Sequence, residues 1–207
     1  MAHDEFRIDG PPDAAHTIVL AHGAGAAMDS PFMDRFAEGL AGRGIRVVRF
    51  EFPYMARRRE SGRRGAPDRP PVLIDRWKEV IERFGGGPAT VIGGKSMGGR
   101  IASMVADDVG ARGLVCLGYP FHPPGDSSRL RTSHLKTLRT PALIVQGTRD
   151  AFGSPVEIAS YGLAPSIRVV FIEEGDHSFR PAARSGRSET GNLEEAMAIV
   201  ADFVLRL

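Results

Sequence analysis

Ser96 lies in Val91–Arg100, VIGGKSMGGR, and the residue types around it fit two incompatible chemistries. Taken as Gly94-Lys95-Ser96, the stretch looks like the end of a phosphate-binding loop, where a lysine and a serine hold a nucleotide and its magnesium. Taken as Gly94-Lys95-Ser96-Met97-Gly98, it is G-x-S-x-G, the turn that presents a nucleophilic serine. A phosphate loop requires G-x-x-x-x-G-K-[ST], because its backbone N–H groups must wrap around phosphates. The position of the first glycine is Ala89, and Thr90, Val91 and Ile92 in between are β-branched, as in a strand rather than a loop. The nucleotide reading fails on this spacing.

A serine hydroxyl is a poor nucleophile at neutral pH and needs an adjacent base, itself oriented by a carboxylate. At an elbow between strand and helix the partners follow in the order serine, acid, histidine, each just beyond a strand. Asp150, in the turn GTRD after PALIVQ, and His177, in EGDHSF after RVVFIE, have that order and place. His3, His16, His122 and His134 do not follow a strand late in the chain. Asp176 is next to His177 and poorly placed to meet its ring across a site. The expected oxyanion donors are the N–H of Met97, after the nucleophile, and one from HGAGA (His22–Ala26), assigned to Ala24 with Gly25 as the alternative. His22 is expected to brace that loop. Tyr119 and Phe121, just past a strand end, are candidates to line an acyl pocket, with ordinary packing of a proline-rich loop as the competing expectation. Lys95 is an unusual elbow residue, expected to serve structurally through an ion pair, the other reading being a hold on an anionic substrate.

These side chains need a parallel sheet to carry them, and strand-like and helix-like segments alternate along the chain. Strands are expected over His16–Gly23, Ile45–Phe52, ATVIGG, Arg112–Gly118, Pro141–Gly147 and Ile167–Glu173. A helix opens at Ser30-Pro31 and runs to Gly44, and the apolar spacing of Leu73, Trp77, Val80, Ile81 and Phe84 gives another over Val72–Phe84. A third starts at Met97 and buries Met97, Ile101, Met104 and Val105. The last is expected to begin at Asn192, with Glu195 completing a capping box. Tyr54–Pro71 departs in composition, with six arginines and little that packs. It reads as a solvated loop at the sheet edge where ligands bind, or as a cationic rim for anionic substrates or a partner.

The length of 207 residues suits one domain over 1–207, which at this size buries roughly 70% of its unfolded surface without disulfides or metals. A net charge of +2 gives no argument for nucleic acid. No apolar run approaches the roughly 18 residues of a membrane span, and MAHDEFRIDGPP lacks the apolar centre of a signal peptide. The lone Cys116, in an apolar run, reads as a buried hydrophobe in a reducing compartment, so a cytoplasmic protein without metal or cofactor is expected.

With the elbow, acid and histidine in place, the whole chain resembles the α/β-hydrolase superfamily. The set HGAGA, GKSMGGR, QGTRD and GDHSF is similar to a small family of lidless α/β-hydrolase-like proteins. They occur in many bacteria and are related to a testis-expressed protein and a chromatin-complex subunit of animals. The resemblance implies an α/β fold, a three-layer α/β/α sandwich on a mostly parallel sheet, with Ser96, Asp150 and His177 as its triad. The segment between Gly118 and Pro141 is too short for the helical lid of many lipases. The expected function is a serine hydrolase of small, accessible esters or thioesters. The same triad also serves peptidases and C–C hydrolases, and the alternative is a binding or scaffold protein that uses the arginine segment.

Overall fold

The computed structural model describes residues 5–63 and 65–207, so His3 and Arg64 lie outside the described residues. Among the described residues seven strands form one sheet: β1 (Phe6–Asp9), β2 (Thr17–Ala21), β3 (Arg46–Phe50), β4 (Thr90–Lys95), β5 (Gly113–Leu117), β6 (Ala142–Gly147) and β7 (Ile167–Ile172). Their order across the sheet is β1-β3-β2-β4-β5-β6-β7. β1 runs antiparallel to β3, and every other pairing is parallel. The helices are α1 (Pro31–Ala41), α2 (Pro53–Ser61), α3 (Pro70–Arg83), α4 (Met97–Val105), α5 (Pro155–Ala159) and α6 (Glu189–Leu205).

Two apolar cores lie on opposite faces of the sheet. Ile18 and Leu20 of β2 face Met33 and Phe36 of α1 and Leu193 and Val200 of α6. Val19 and Ala21 point the other way, toward Trp77 of α3 and Ile101 of α4. This alternation gives the three layers, and burial on both faces explains why the central strands read as continuous apolar runs.

The strands follow the expected segments, trimmed at their ends except that β4 runs one residue further, to Lys95. β1 was not foreseen. FRID is a short edge strand whose Ile8 is 50% exposed, so no apolar run marks it. Along α4, Ile101 and Val105 are buried, whereas Met97 and Met104 are half-buried.

Two expectations require correction. The arginine segment is not a loop throughout, since α2 occupies its first half, started by Pro53 and ended at Gly62 in a left-handed conformation (φ 69°). Tyr54 and Met55 on this helix are buried. The last helix starts at Glu189 with Ser188 as its N-cap, whose hydroxyl accepts from Gly191 N–H at 3.0 Å. Asn192 lies inside the helix and is fully buried. No helix among the described residues is long and apolar enough to cross a membrane.

Candidate active site

The site forms at the C-terminal edge of the sheet, where β4 turns into α4. Ser96 occupies the turn at φ 52° and ψ −114°, a conformation that costs a residue with a β-carbon about 1–3 kcal/mol. Close packing enforces it. A β-carbon at Gly98 would lie 2.4 Å from the Ala21 carbonyl oxygen, and one at Gly94 would lie 2.1 Å from the same atom. Gly98 lets α4 descend directly onto β2, and Gly94 lets the end of β4 lie close against the same strand. The turn is fixed further by Ser96 N–H donating to Leu117 O at 3.0 Å.

Ser96, Asp150 and His177 come together. Ser96 Oγ lies 2.9 Å from His177 Nε2, and His177 Nδ1 lies 2.8 Å from Asp150 Oδ2. The carboxylate can only accept, so Nδ1 carries the proton and Nε2 is free to accept from the serine hydroxyl. The His177 ring rests against Phe152, with centroids 4.2 Å apart. Burial holds the imidazole pKa below its usual value; the Asp150 hydrogen bond opposes this, and the Lys95 charge adds to it.

Each member has its own support. Asp150 Oδ2 also accepts from Gln146 Nε2 at 2.7 Å, and Oδ1 accepts from Phe152 N–H at 2.9 Å. Gln146 is fully buried, and its Oε1 in turn accepts from Tyr119 N–H at 2.8 Å. The loop bearing His177 is clamped from several sides. Lys95 Nζ donates to the His177 carbonyl at 2.6 Å, and Asn192 Nδ2 donates to Phe179 O at 2.8 Å. Asp176 accepts from the N–H groups of Ser178 and Arg180 at 2.7 and 2.9 Å, so it shapes the turn instead of meeting the ring.

The loop after β2 is braced as expected of His22. Its Nδ1 donates to Gly23 O at 2.7 Å, and its Nε2 accepts from Phe52 N–H at 3.1 Å. Burial keeps this ring neutral by lowering its pKa. In a planar trans peptide the N–H points opposite to the C=O. With Gly23 O held by the buried His22 ring, Ala24 N–H is directed away from that ring. Tyr54 Oη donates to Ala24 O at 2.9 Å and fixes the next peptide. Among the described residues, neither Ala24 N–H nor Met97 N–H has a protein acceptor.

These groups open on a cleft of about 480 Å³ bounded by Ala24, Gly25, Phe32 and Phe152, with Ser96 and His177 exposed to it. Tyr119 and Phe121 do not line it, which corrects the acyl-pocket expectation. Both are fully buried, Tyr119 Oη donates to Arg131 O at 2.8 Å, and Phe121 packs on Tyr119 and Tyr161. The chain turns inward directly after β5, taking both rings under the sheet edge. Phe32, at the start of α1, supplies the aromatic wall instead. Sequence reasoning also missed Gln146, whose isolated polarity within the apolar strand PALIVQG was the available signal.

Two expectations about charge also change. Lys95 forms no ion pair among the described residues; it donates to the His177 carbonyl, with its Nζ 5.4 Å from the Phe32 ring centroid. Two arginines of the 57–69 segment, Arg57 and Arg59, are committed to carboxylates. Arg59 binds Asp29 through two nitrogens at 2.9 and 2.7 Å and also reaches Glu51 at 2.6 Å, and Arg57 pairs with Asp68 at 2.5 Å.

Between Gly118 and Pro141 only a short 3-10 turn (Ser133–Lys136) interrupts irregular chain, and no helical lid covers the cleft among the described residues. A sequence model of the α/β hydrolase domain matches residues 14–205. An α/β serine hydrolase homologue from Coxiella burnetii superposes with a TM-score of 0.71 at 20% identity, covering 98% of this chain and 90% of that one. A dienelactone hydrolase from Anabaena variabilis gives 0.71 at 21%, covering 97% and 90%. An α/β serine hydrolase without a lid, from Xanthomonas campestris, gives 0.68 at 20%, covering 97% and 88%. At these identities the likeness is one of fold.

Proposed function

The chain belongs to the α/β hydrolase family, and from that premise we propose that it is a serine hydrolase of small, accessible esters or thioesters. Ser96 Oγ attacks the substrate carbonyl while His177 Nε2 takes its proton. Asp150 keeps the imidazole in the tautomer that can accept, and stabilises the imidazolium once it forms. The N–H groups of Met97 and Ala24 receive the developing oxyanion, each worth on the order of 10²–10³ in turnover. His177 then protonates the leaving oxygen or sulfur. Water, deprotonated by the same imidazole, hydrolyses the acyl-enzyme and releases Ser96.

The observation that carries this reading is the unbroken chain Ser96–His177–Asp150, at 2.9 and 2.8 Å, opening on an uncovered cleft. An open cleft of this size suits small substrates more than an interfacial lipid. A cytoplasmic setting belongs to the same reading; Cys116, the only cysteine, is free and buried. The test is labelling by a fluorophosphonate probe together with p-nitrophenyl acetate turnover, in the wild type and in Ser96→Ala. Wild-type protein is expected to label and turn over, and the variant to lose about 10⁴-fold or more. A folded wild-type protein that neither labels nor turns over, or a variant that labels equally well, refutes the proposal.

A further inference from the structure

One face of α4 gathers positive charge from two segments of the chain. Arg100 lies one helical turn beyond Ser96, and Ser103, three residues further, shares its face of the helix. Ser103 Oγ lies 2.8 Å from His134 Nε2, so this face meets the 3-10 turn (Ser133–Lys136) and the residues leading into it. Arg131, in that lead-in, is pinned through its backbone. Its N–H donates to Phe121 O at 2.8 Å, and its carbonyl accepts from Tyr119 Oη at 2.8 Å. Both arginines are half-buried, and neither lines the catalytic cleft.

The charge of this pair is not balanced within the fold. Among the described residues no carboxylate comes within ion-pair distance of Arg100 or Arg131, and none acts through space on Arg131 or His134. The cationic charges that reach Arg131 are those of Arg100 and Arg129, and Arg129 is itself paired with Asp126 at 3.9 Å. Burial, then the Arg100 charge, lowers the pKa of Arg131 and of His134, so the His134 ring is neutral at pH 7 and adds no charge of its own. Hydrogen bonding leaves both guanidinium groups open. Arg131 Nη1 reaches only the Pro120 carbonyl, at 3.5 Å. Arg100 makes no hydrogen bond among the described residues; its Nε is buried without a partner, while its terminal nitrogens reach solvent.

Two like charges held together raise the energy of the folded chain, and a dianion between them removes the repulsion while supplying acceptors to both. A planar guanidinium fork matches two oxygens of a phosphate, and two forks match its charge. We infer that Arg100 and Arg131 form a phosphate-binding site outside the catalytic cleft. The site uses neither Ser96 nor His177, so it stands or falls apart from the hydrolase reading.

Calorimetry on the full chain at fixed ionic strength tests it, with inorganic phosphate, phenyl phosphate and acetate as probes. Phosphate is expected to bind, and Arg100→Gln and Arg131→Gln each to weaken it by roughly 10–100-fold, the value of one charged hydrogen bond. The two variants lie on different elements, so one that fails to fold leaves the other to decide. Arg206→Gln, which removes an arginine paired with Asp202 at the end of α6, should bind phosphate as the wild type does. Tighter binding of phenyl phosphate assigns the site to an organic phosphate and equal binding to the free ion; both outcomes support the site. Wild-type protein that binds neither phosphate, acetate bound as tightly as phosphate, or folded Arg100→Gln and Arg131→Gln that bind no more weakly than Arg206→Gln overturns the inference.

Discussion

Replacing Lys95 by methionine is expected to stabilise the protein while damaging its site. The lysine pKa falls from its ordinary 10.5 to about 8, chiefly through burial, so the charged form is penalised on folding. A fall of about 2.5 corresponds to roughly 3 kcal/mol at neutral pH. Methionine keeps the stem's volume and removes the charge, but leaves the His177 carbonyl without its donor, a loss of about 1 kcal/mol. The variant should therefore be about 2 kcal/mol more stable, which for a chain of this size raises Tm by roughly 4–8 °C. The pH dependence isolates the cause. The folded pKa lies below the unfolded one, so the penalty is complete below about pH 8 and fades as pH rises toward 10.5. Urea unfolding of wild type and variant at pH 7 and pH 10 should show a gain at the lower pH that shrinks at the higher. A variant no more stable at pH 7 refutes the reasoning, and an equal gain at both pH values assigns the effect to packing rather than charge.

Two further outcomes follow from the supports of the site. Gln146→Leu removes a donor from Asp150 and leaves the backbone of Tyr119 unpartnered, so stability should fall by about 1–3 kcal/mol and kcat by roughly tenfold with KM little changed; loss of stability with intact kcat would make Gln146 purely structural. His177 must be neutral to accept the serine proton, and its pKa is held below 6.5, so kcat/KM for a neutral ester should rise with pH through a midpoint below 6.5. Lys95→Met removes one of the influences that lower it and should move that midpoint upward; a wild-type midpoint at or above 6.5 contradicts the assignment.

The legible parts of this protein are those whose constraints are local. The elbow announces itself because α4 follows β4 without a linker, and a β-carbon at Gly98 would strike the Ala21 carbonyl. Asp150 and His177 could be chosen because each follows a strand in a fixed chain order. Tyr119 and Phe121 could not be placed by the same rule. Position past a strand end says where the chain is, and the inward turn after β5 that buries both rings depends on Phe121 meeting Tyr161, far along the chain. Asn192 misled for a related reason, since asparagine favours N-caps, yet here its amide ties α6 to the carbonyls of Glu173 and Phe179. In α2 the arginines suggested solvation, whereas Arg59 bridges Asp29 and Glu51 from separate segments.

Lys95 separates what the sequence carries from what only the fold carries. Its place before the nucleophile is visible in GKSMGG, and an ion pair is the ordinary expectation for an inward-facing lysine. Among the described residues no carboxylate comes within ion-pair distance, and its ammonium donates instead to the His177 carbonyl at 2.6 Å. Asp150 and Asp176 act on it through space, each favouring the charged form against the larger effect of burial. Burial outweighs both carboxylates, so the charged lysine lowers stability while its bond to the His177 carbonyl clamps the loop that carries the base. Lys95→Met should therefore move stability and kcat in opposite directions, the more stable protein having the less firmly held base.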